Sequence, residues 1–298
     1  IQPTPGKETS CARHASNRDY LSTFMVKVCV VQKFGTYKPF GFSRLILTLA
    51  KLGFGRGRIK LLFAQLWGRL NRDRSVDIRY YGLKFRLKPL DNTIDSKMLF
   101  SSKRREETEL KMISHYLANG GVFVDIGANI GYYALNAALL GAEKVIAIEP
   151  NPKILARLND NIALNNLSSN IAVHDVAVGA KQGVAKLTIA DSDFGSSSIV
   201  DHSVGARHIS VPILPLFEIL KTEAVEVVSI IKIDIEGMED RALFPYFEAI
   251  KPENYPKLIV MEDGINSHWE RDILSWLLAN GYKSTERTRG NVMLTLTK

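Results

Sequence analysis

Cysteine is scarce in this sequence of 298 residues, and the two present, Cys11 and Cys29, both lie within the first 30 residues. The rest of the chain therefore has neither a disulfide framework nor a cysteine metal site, which is typical of a reducing compartment. Long apolar runs are also missing, since the run Leu45 to Leu49 is interrupted by Thr48 and closed by Lys51. A membrane span needs roughly 18 such residues. We expect a cytoplasmic protein, soluble or peripheral at the inner membrane face.

The composition excludes fibrous, collagen-like and wholly disordered proteins, because 46% of the residues are hydrophobic and 23% are charged. The net charge of +8 is unevenly placed. Residues 1–111 contain 23 Lys and Arg against 9 Asp and Glu, whereas residues 112–298 contain 16 against 22. This split favours a mildly acidic catalytic body with a basic attachment over a chain that binds nucleic acid throughout.

The first part of the chain predicts little regular structure. Residues 1–24 are polar and aperiodic and lack a secretory hydrophobic region, and the first methionine is Met25. We expect residues 1–37 to form a disordered or non-native lead, with Met25 as a candidate natural start.

Residues 38–75 are predicted to form a basic helical extension. Apolar residues recur at helical spacing on both sides of the segment Gly53 to Gly57, which indicates two short amphipathic helices. Nine Lys or Arg and a single acid, Asp73, lie between Lys38 and Arg74. Such a pair packs against a catalytic domain or in a homodimer, which we favour, or lies on an anionic membrane.

Residues 76–298 are predicted to form one α/β domain. Strand-like and helix-like segments alternate, which predicts a doubly wound, Rossmann-like parallel sheet with right-handed crossovers. Helices are expected near Asp240 to Phe247 and at His268 to Asn280, and a hairpin is expected at Tyr282 to Leu296. The predicted strands are Val122–Ile126, Lys144–Ile148, Ile171–Val178, Lys186–Ile189, His208–Val211, Val228–Ile233 and Leu258–Met261.

A buried strand that ends in Asp125 turns through Gly127, Ala128, Asn129 and Gly131 into a helix. Such a turn lets backbone approach a ligand closely, but its spacing is a poor match to the three-glycine dinucleotide fingerprint. An acid at the strand end suits the ammonium and sulfonium charges of S-adenosylmethionine.

The next strand ends in Glu149 and Pro150, where a carboxylate can accept both hydroxyls of a ribose. The pair of acids at this spacing indicates a cofactor site. The structural alternative makes Asp125 a helix cap and Glu149 a solvated strand end. Asp175, on the third strand, is a weaker candidate for the adenine amino group.

The fourth predicted strand ends in Lys232, Asp234 and Glu236, which alternate with isoleucines and so are expected to share one face. Ligands sit above the carboxyl ends of strands in open α/β sheets, so these acids are expected to face the substrate.

The run Phe123 to Tyr133 (FVDIGANIGYY), AIEPNP and KIDIEGMED together resemble the FkbM family of S-adenosylmethionine-dependent methyltransferases, from about Arg86 to Glu262. The resemblance implies a class I methyltransferase fold, seven-stranded with the last strand antiparallel, and O-methylation of a sugar, glycolipid, polysaccharide or secondary metabolite. It also implies that Asp125, Gly127, Asn129 and Gly131 hold the methionine part, Glu149 the ribose, and Asp234 with Glu236 the reaction end.

An acceptor alcohol needs a base, for which the candidates in order are Asp234, Glu236 and His268, with Lys232 beside them. A Mg²⁺ site formed by Asp234, Glu262 and Asp263 is a less favoured alternative. The expected partner is a small-molecule, sugar or lipid-linked glycan substrate and not nucleic acid. The competing functions are a nucleic-acid or protein methyltransferase and a non-catalytic cofactor-binding module.

Overall fold

The computed structural model describes residues 31–54, 57–71, 75–101, 104–189, 207–262, 264 and 266–297. The predicted lead up to residue 30, the candidate start Met25, and Asp263 lie outside these residues. Within the described ranges, no helix has the length and apolar character needed to cross a membrane.

The strands and helices are numbered in chain order. The strands are β1 (Val76–Tyr80), β2 (Leu83–Leu87), β3 (Val122–Ile126), β4 (Lys144–Ile148), β5 (Ile171–His174), β6 (Ala177–Val178), β7 (Gly183–Ile189), β8 (Arg207–Leu214), β9 (Ile230–Ile233), β10 (Leu258–Glu262), β11 (Tyr282–Arg287) and β12 (Asn291–Leu296). The helices are α1 (Gly41–Leu49), α2 (Gly57–Asn71), α3 (Thr93–Phe100), α4 (Glu107–Tyr116), α5 (Tyr132–Leu139), α6 (Pro152–Leu164), α7 (Leu216–Thr222), α8 (Glu239–Ala249) and α9 (Ile273–Ala279).

The central sheet has the strand order β11-β12-β10-β9-β3-β4-β5. The pairs formed by β3, β4, β5, β9 and β10 are parallel, whereas β12 runs antiparallel to both β10 and β11. This confirms the predicted α/β class I methyltransferase sheet of seven strands with an antiparallel last strand.

Two hydrophobic cores cover the two faces of the sheet, because side chains alternate along each strand. Val124 and Ile126 of β3 belong to the core that also contains Leu216 of α7 and Phe244 of α8. Phe123 belongs to the opposite core, which is packed by helices α1 to α6. Asp125 follows Phe123 on that second face and has Lys232 of β9 as its register partner. A carboxylate and an ammonium therefore meet at the carboxyl edge of the sheet.

Three elements differ from the sequence predictions. The strand predicted over Ile171–Val178 is divided at the exposed Asp175 into β5 and β6, and β6 joins β7 and β8 in a separate sheet. The last helix begins at Ile273, because the Asp272 carboxylate accepts a hydrogen bond from Ser275 N and so caps it there. Helix α3 was not predicted, since its sequence shows no continuous apolar row.

The two helices predicted in residues 38–75 are present, and one face of each is packed. Ile46 and Leu47 of α1 and Trp67 of α2 are buried in the core that also contains Phe100 of α3. The Trp67 and Phe100 rings meet edge to face with centroids 6.0 Å apart. One face of each helix therefore packs against the residues that follow it in the chain.

Part of the segment expected to be a disordered lead contacts the β1–β2 hairpin. Gly35 N donates to Asp77 Oδ2 at 2.7 Å, and Arg86 Nη2 donates to the carbonyl oxygen of Gln32 at 2.8 Å. Arg86 also forms a buried ion pair with Asp77 at 2.9 Å. Residues 32–37 thus pack on the body that follows them.

Candidate functional site

A cavity of about 200 Å³ lies at the carboxyl ends of β3, β4, β9 and β10. Ligands of open α/β sheets bind at this edge. Predicted site residues that line the cavity are Gly127, Ala128, Asn129, Glu149, Pro150, Lys232, Asp234, Glu236 and Glu262. The topology thus brings residues from distant parts of the sequence to one opening.

The loop after β3 passes closely over the end of β9. The N–H groups of Gly127 and Ala128 both donate to the carbonyl oxygen of Ile148 at 3.0 Å. Gly127 has a φ of +77°, and a Cβ atom there would lie 2.1 Å from the carbonyl oxygen of Asp234. Gly131 also has a positive φ, and its Cβ would meet Leu135 and Leu158. Only glycine therefore fits at either position without displacing neighbours.

Glu149 ties the ends of β3 and β4 together. Its carboxylate is buried and accepts hydrogen bonds from Asn129 N and Asn151 N, both at 2.9 Å. Burial raises the pKa of Glu149 to about 7, although the two N–H groups oppose this effect. Asn129 adopts a left-handed backbone with a φ of +51°, which directs its N–H to the carboxylate.

Asp125 is 1% exposed and is not among the described residues that line the cavity. Its Oδ2 accepts a hydrogen bond from Ala134 N at 2.9 Å, whereas Oδ1 is buried without a hydrogen-bond partner among the described residues. Burial raises its pKa to about 6, and the nearby Lys232 ammonium opposes this shift. Beneath the loop there is thus a buried acceptor atom that receives no hydrogen bond from the described residues.

Lys232 and Asp234 form an ion pair at the cavity wall, with 3.2 Å between Nζ and Oδ2. Nζ also lies 5.2 Å from the centre of the Tyr133 ring. Burial opposes the charge on Lys232, but Asp234 and Asp125 raise its pKa above the ordinary value. Burial likewise opposes ionisation of Asp234, and the Lys232 ammonium keeps its pKa below the ordinary value. The pair is therefore ionised at neutral pH.

Glu262, the last residue of β10, lies beside Asp234 and also lines the cavity. Burial and the Asp234 charge raise the pKa of Glu262 to about 9. Two neighbouring carboxyl groups cannot both ionise at low cost, so their pKa values separate. At neutral pH Asp234 is a carboxylate and Glu262 is a carboxylic acid.

The acids predicted on one strand face lie instead in the loop after it, because β9 ends at Ile233. Lys232 remains on the strand, and Asp234 and Glu236 still reach the cavity. Glu236 has a left-handed φ of +56°, a strained conformation for a residue with a side chain.

The loop after β9 is held by Glu239, which is buried at the start of α8. Its Oε1 accepts hydrogen bonds from Ile235 N at 3.1 Å and Gly237 N at 3.3 Å, and its Oε2 accepts one from Trp269 Nε1 at 2.8 Å. A single carboxylate thus fixes the backbone on both sides of Glu236.

The structure adds residues that the sequence analysis missed, both before and after α3. Arg105 and Glu106 line the cavity and form an ion pair with each other. Asn92 caps α3 through Ile94 N, and its Nδ2 donates to Asn129 Oδ1 at 2.8 Å. The sequence signal for Arg105 and Glu106 was the charged run Arg104 to Glu107. Nothing in that run indicated that it lies close to the end of β3.

Some predicted site residues, Asp125 and Gly131 among them, are not among the described residues that line this cavity. Asp175 is exposed, and neither it nor His268, which lies in a 3-10 turn, is among the described residues that line the cavity. Asp263 lies outside the described part of the chain. Among the described residues, no group of three or more His, Cys, Asp or Glu side chains is arranged to hold a metal ion. The roles predicted for these residues stay predictions.

The geometry agrees with a family comparison. The model of the methyltransferase FkbM domain matches residues 125–284, more than half of the chain. The chain belongs to the FkbM methyltransferase family. Its sheet order and family are those of S-adenosylmethionine-dependent methyltransferases.

Individual proteins show more limited similarity. The ribosomal protein L11 methyltransferase of Carboxydothermus hydrogenoformans is 35% identical over 95 residues, which is 30% of this chain and 31% of that protein. The chain thus matches about a third of the length of that relative.

Two solved structures are similar in fold. The methyltransferase FkbM from Methylobacillus flagellatus KT is 21% identical with a TM-score of 0.40, over 60% of this chain and 44% of that chain. M. jannaschii TYW2 in complex with AdoMet is 17% identical with a TM-score of 0.39, over 76% of this chain and 86% of that chain.

Proposed function

We propose that this FkbM-family chain transfers a methyl group from S-adenosylmethionine to a hydroxyl group of a sugar, glycolipid, polysaccharide or secondary metabolite. The observation that carries the proposal is the ionised Asp234, held by Lys232 at the wall of the cavity to which Glu149 and Gly127 also contribute.

The residues at the end of β3 and β4 fit the cofactor. The unpartnered Oδ1 of Asp125 is an acceptor for the ammonium group of the methionine part. The backbone of Gly127 lines the cavity and so can approach the cofactor closely, and Glu149 provides carboxylate oxygens for ribose hydroxyls. When bound, S-adenosylmethionine supplies a methyl group on a positively charged sulfur.

Asp234 is the proposed general base. An alcohol is a poor nucleophile until it loses its proton, and Asp234 is an ionised acceptor at the cavity wall. A carboxylate of lowered pKa is a weak base. We therefore assign Asp234 two tasks, to orient the acceptor hydroxyl and to take its proton as the new bond forms.

Lys232 and Glu262 both interact with that base. The Lys232 ammonium favours the charged form of Asp234, and the protonated Glu262 donates to it. Glu236, in its strained loop, is the proposed second contact to the acceptor. Several acids around one opening suit a polyhydroxyl acceptor and repel the phosphates of a nucleic acid.

The second candidate function is methylation of a protein amino group. It is favoured by the 35% identity to a ribosomal protein L11 methyltransferase over 95 residues. In this alternative Asp234 and Glu236 bind a lysine ammonium and accept its proton. The two candidates therefore use the same cavity with different acceptors.

The test is transfer of a labelled methyl group to two panels of acceptors. One panel contains sugars, glycolipids and hydroxylated metabolites, and the other contains ribosomal protein L11 and basic peptides. We expect labelling of a hydroxyl acceptor and a loss of roughly 10²- to 10⁴-fold in kcat for Asp234→Asn. Cofactor binding by this variant is expected to remain.

Each contrary outcome has a defined meaning. Labelling of L11 alone supports the second candidate. A protein that binds S-adenosylmethionine but labels neither panel is a non-catalytic binding module for these acceptors, and full activity of Asp234→Asn rules out its role as base.

A further inference from the structure

The hairpin of α1 and α2, with Phe40 before it, carries more of the exposed large hydrophobic side chains than the rest of the described chain. Of the 14 large hydrophobic side chains that are exposed there, eight lie between residues 40 and 70. Monomeric soluble proteins rarely concentrate such side chains in one short segment. The eight are Phe40, Phe42, Leu45, Leu52, Phe54, Ile59, Leu62 and Leu70.

These exposed residues border the packed faces of the helices. In α2, Phe63 and Trp67 are buried, whereas Ile59, Leu62 and Leu70 are about half exposed. Spacings of 3 and 8 residues place those three on one side of a helix with 3.6 residues per turn. The apolar face of the helix is thus wider than its contact with the core, and its outer edge stays exposed.

Helix α1 repeats this arrangement. Ile46 and Leu47 are buried, while Phe42 and Leu45 are exposed. The short π-helical turn after α1 adds Leu52, which is 69% exposed. Both helices therefore have an apolar row that no other part of the described chain covers.

The polar part of the hairpin is cationic. Arg44, Lys51 and Arg69 are exposed, and none forms an ion pair with a described residue. Between Lys38 and Arg74 the sequence contains nine basic residues and one acid. Contact between two copies of this face would bring like charges together, whereas an anionic lipid surface is complementary to it.

We propose that the α1–α2 hairpin docks the protein on the surface of an anionic lipid bilayer. The exposed apolar rows enter the boundary between headgroups and acyl chains, and the basic side chains contact lipid phosphates and carboxylates. Helices of 9 and 15 residues are too short to span a bilayer but suit this interfacial position.

Vesicle sedimentation of the full chain tests the proposal. We expect binding to vesicles that contain phosphatidylserine, weak binding to pure phosphatidylcholine, and a decrease in affinity with added salt. Reversal of three charges by Arg44→Glu, Lys51→Glu and Arg69→Glu is expected to weaken binding more than about hundredfold, since each basic residue contributes about fivefold and each acid repels.

Apolar substitutions have a matched control. Phe42→Ser, Leu45→Ser, Leu52→Ser and Leu62→Ser together are expected to abolish vesicle binding. Four exposed apolar residues elsewhere provide the control variant, which is expected to bind like the wild type: Leu139→Ser, Val184→Ser, Val227→Ser and Leu278→Ser. Thermal unfolding of each variant verifies that it is folded.

Two results overturn the proposal. One is failure of the folded full chain to bind anionic vesicles. This result counts against the proposal even if another segment of the chain covers the hairpin. The other is a combination of two observations: vesicle binding is absent, and light scattering shows a dimer that the four hairpin substitutions dissociate. The face would then be covered by a second copy of the chain.

Discussion

Gly127 occupies the point where the loop after β3 comes closest to β9. Its positive φ and the 2.1 Å separation between a Cβ and the Asp234 carbonyl oxygen leave no room for a side chain. The glycine was predicted from the sequence because a short turn from strand to helix requires backbone freedom. A second requirement for glycine is its contact with Asp234, which lies in the loop after β9, and this contact could not be predicted because it depends on the sheet order.

Substitution of Gly127 tests that close approach. We expect Gly127→Ala to destabilise the fold by about 2 kcal/mol or more, since both the clash and the left-handed backbone oppose it. Chemical denaturation measures the change. Gly290→Ala is the control because a Cβ there meets nothing within 4 Å. Equal stability of the two variants would contradict this packing.

The site residues differ in whether their position at the cavity could be predicted from the sequence. Glu149 and Asp234 follow buried strands, so their position at the sheet edge could be predicted. Arg105 and Glu106 could not, because the path of the chain after α3 decides whether they reach the cavity. Asp175 was predicted there, but the break between β5 and β6 leaves it exposed.

At the scale of elements, the loop between β9 and α8 depends on Glu239. This carboxylate accepts two backbone N–H groups and the Trp269 indole N–H, and so determines where Asp234 and Glu236 lie. Glu239 is therefore a positioning residue of the proposed reaction.

Glu239→Gln replaces one acceptor oxygen with an N–H₂ group that faces a donor. We expect kcat to fall by about tenfold or more, with a smaller change in the dissociation constant for S-adenosylmethionine, since the loop after β3 is unchanged. Glu248→Gln, at an exposed ion pair with Arg271, is the control. A Glu239→Gln enzyme with unaltered kcat would show that the loop does not need this carboxylate.

Elements with a strong apolar period were predicted well, and those fixed by tertiary contacts were not. The sheet strands β3, β4 and β9 have nearly continuous apolar residues. Helix α3 depends on the Asn92 cap and on burial of Met98 and Phe100 against the core. The predicted extension over residues 38–75 shares that core through Trp67, which the sequence could not show.

At the scale of the whole molecule, buried acids link stability to pH. Burial raises the pKa of Asp125 to about 6 and that of Glu149 to about 7. Their unfolded values are lower, so the stability that they contribute is present below about pH 4 and is lost as pH rises through these folded values. Without ligand, these two groups make the fold less stable at pH 8 than at pH 5.

Cofactor binding is expected to have the opposite pH dependence. An ammonium beside Asp125 and ribose hydroxyls on Glu149 favour the ionised acids, so binding releases protons and affinity rises between pH 5 and 8. The slope approaches about tenfold per pH unit for each proton released. Isothermal calorimetry in buffers of different ionisation enthalpy measures this release. Glu149→Gln is expected to remove the pH dependence of affinity near pH 7. A wild-type affinity that is independent of pH would contradict the placement of the cofactor beside Asp125 and Glu149.

The central claim is that the carboxyl edge of the sheet holds S-adenosylmethionine. The most direct measurement is calorimetric binding of S-adenosylmethionine and its demethylated product to the wild type, Glu149→Ala and Glu143→Ala. The two acids flank β4, with Glu149 at its carboxyl end and Glu143 at its amino end. We predict that both ligands bind the wild type and Glu143→Ala, and that Glu149→Ala loses most of its affinity. Equal binding by the two folded variants, or no binding by the folded wild type, would contradict the account.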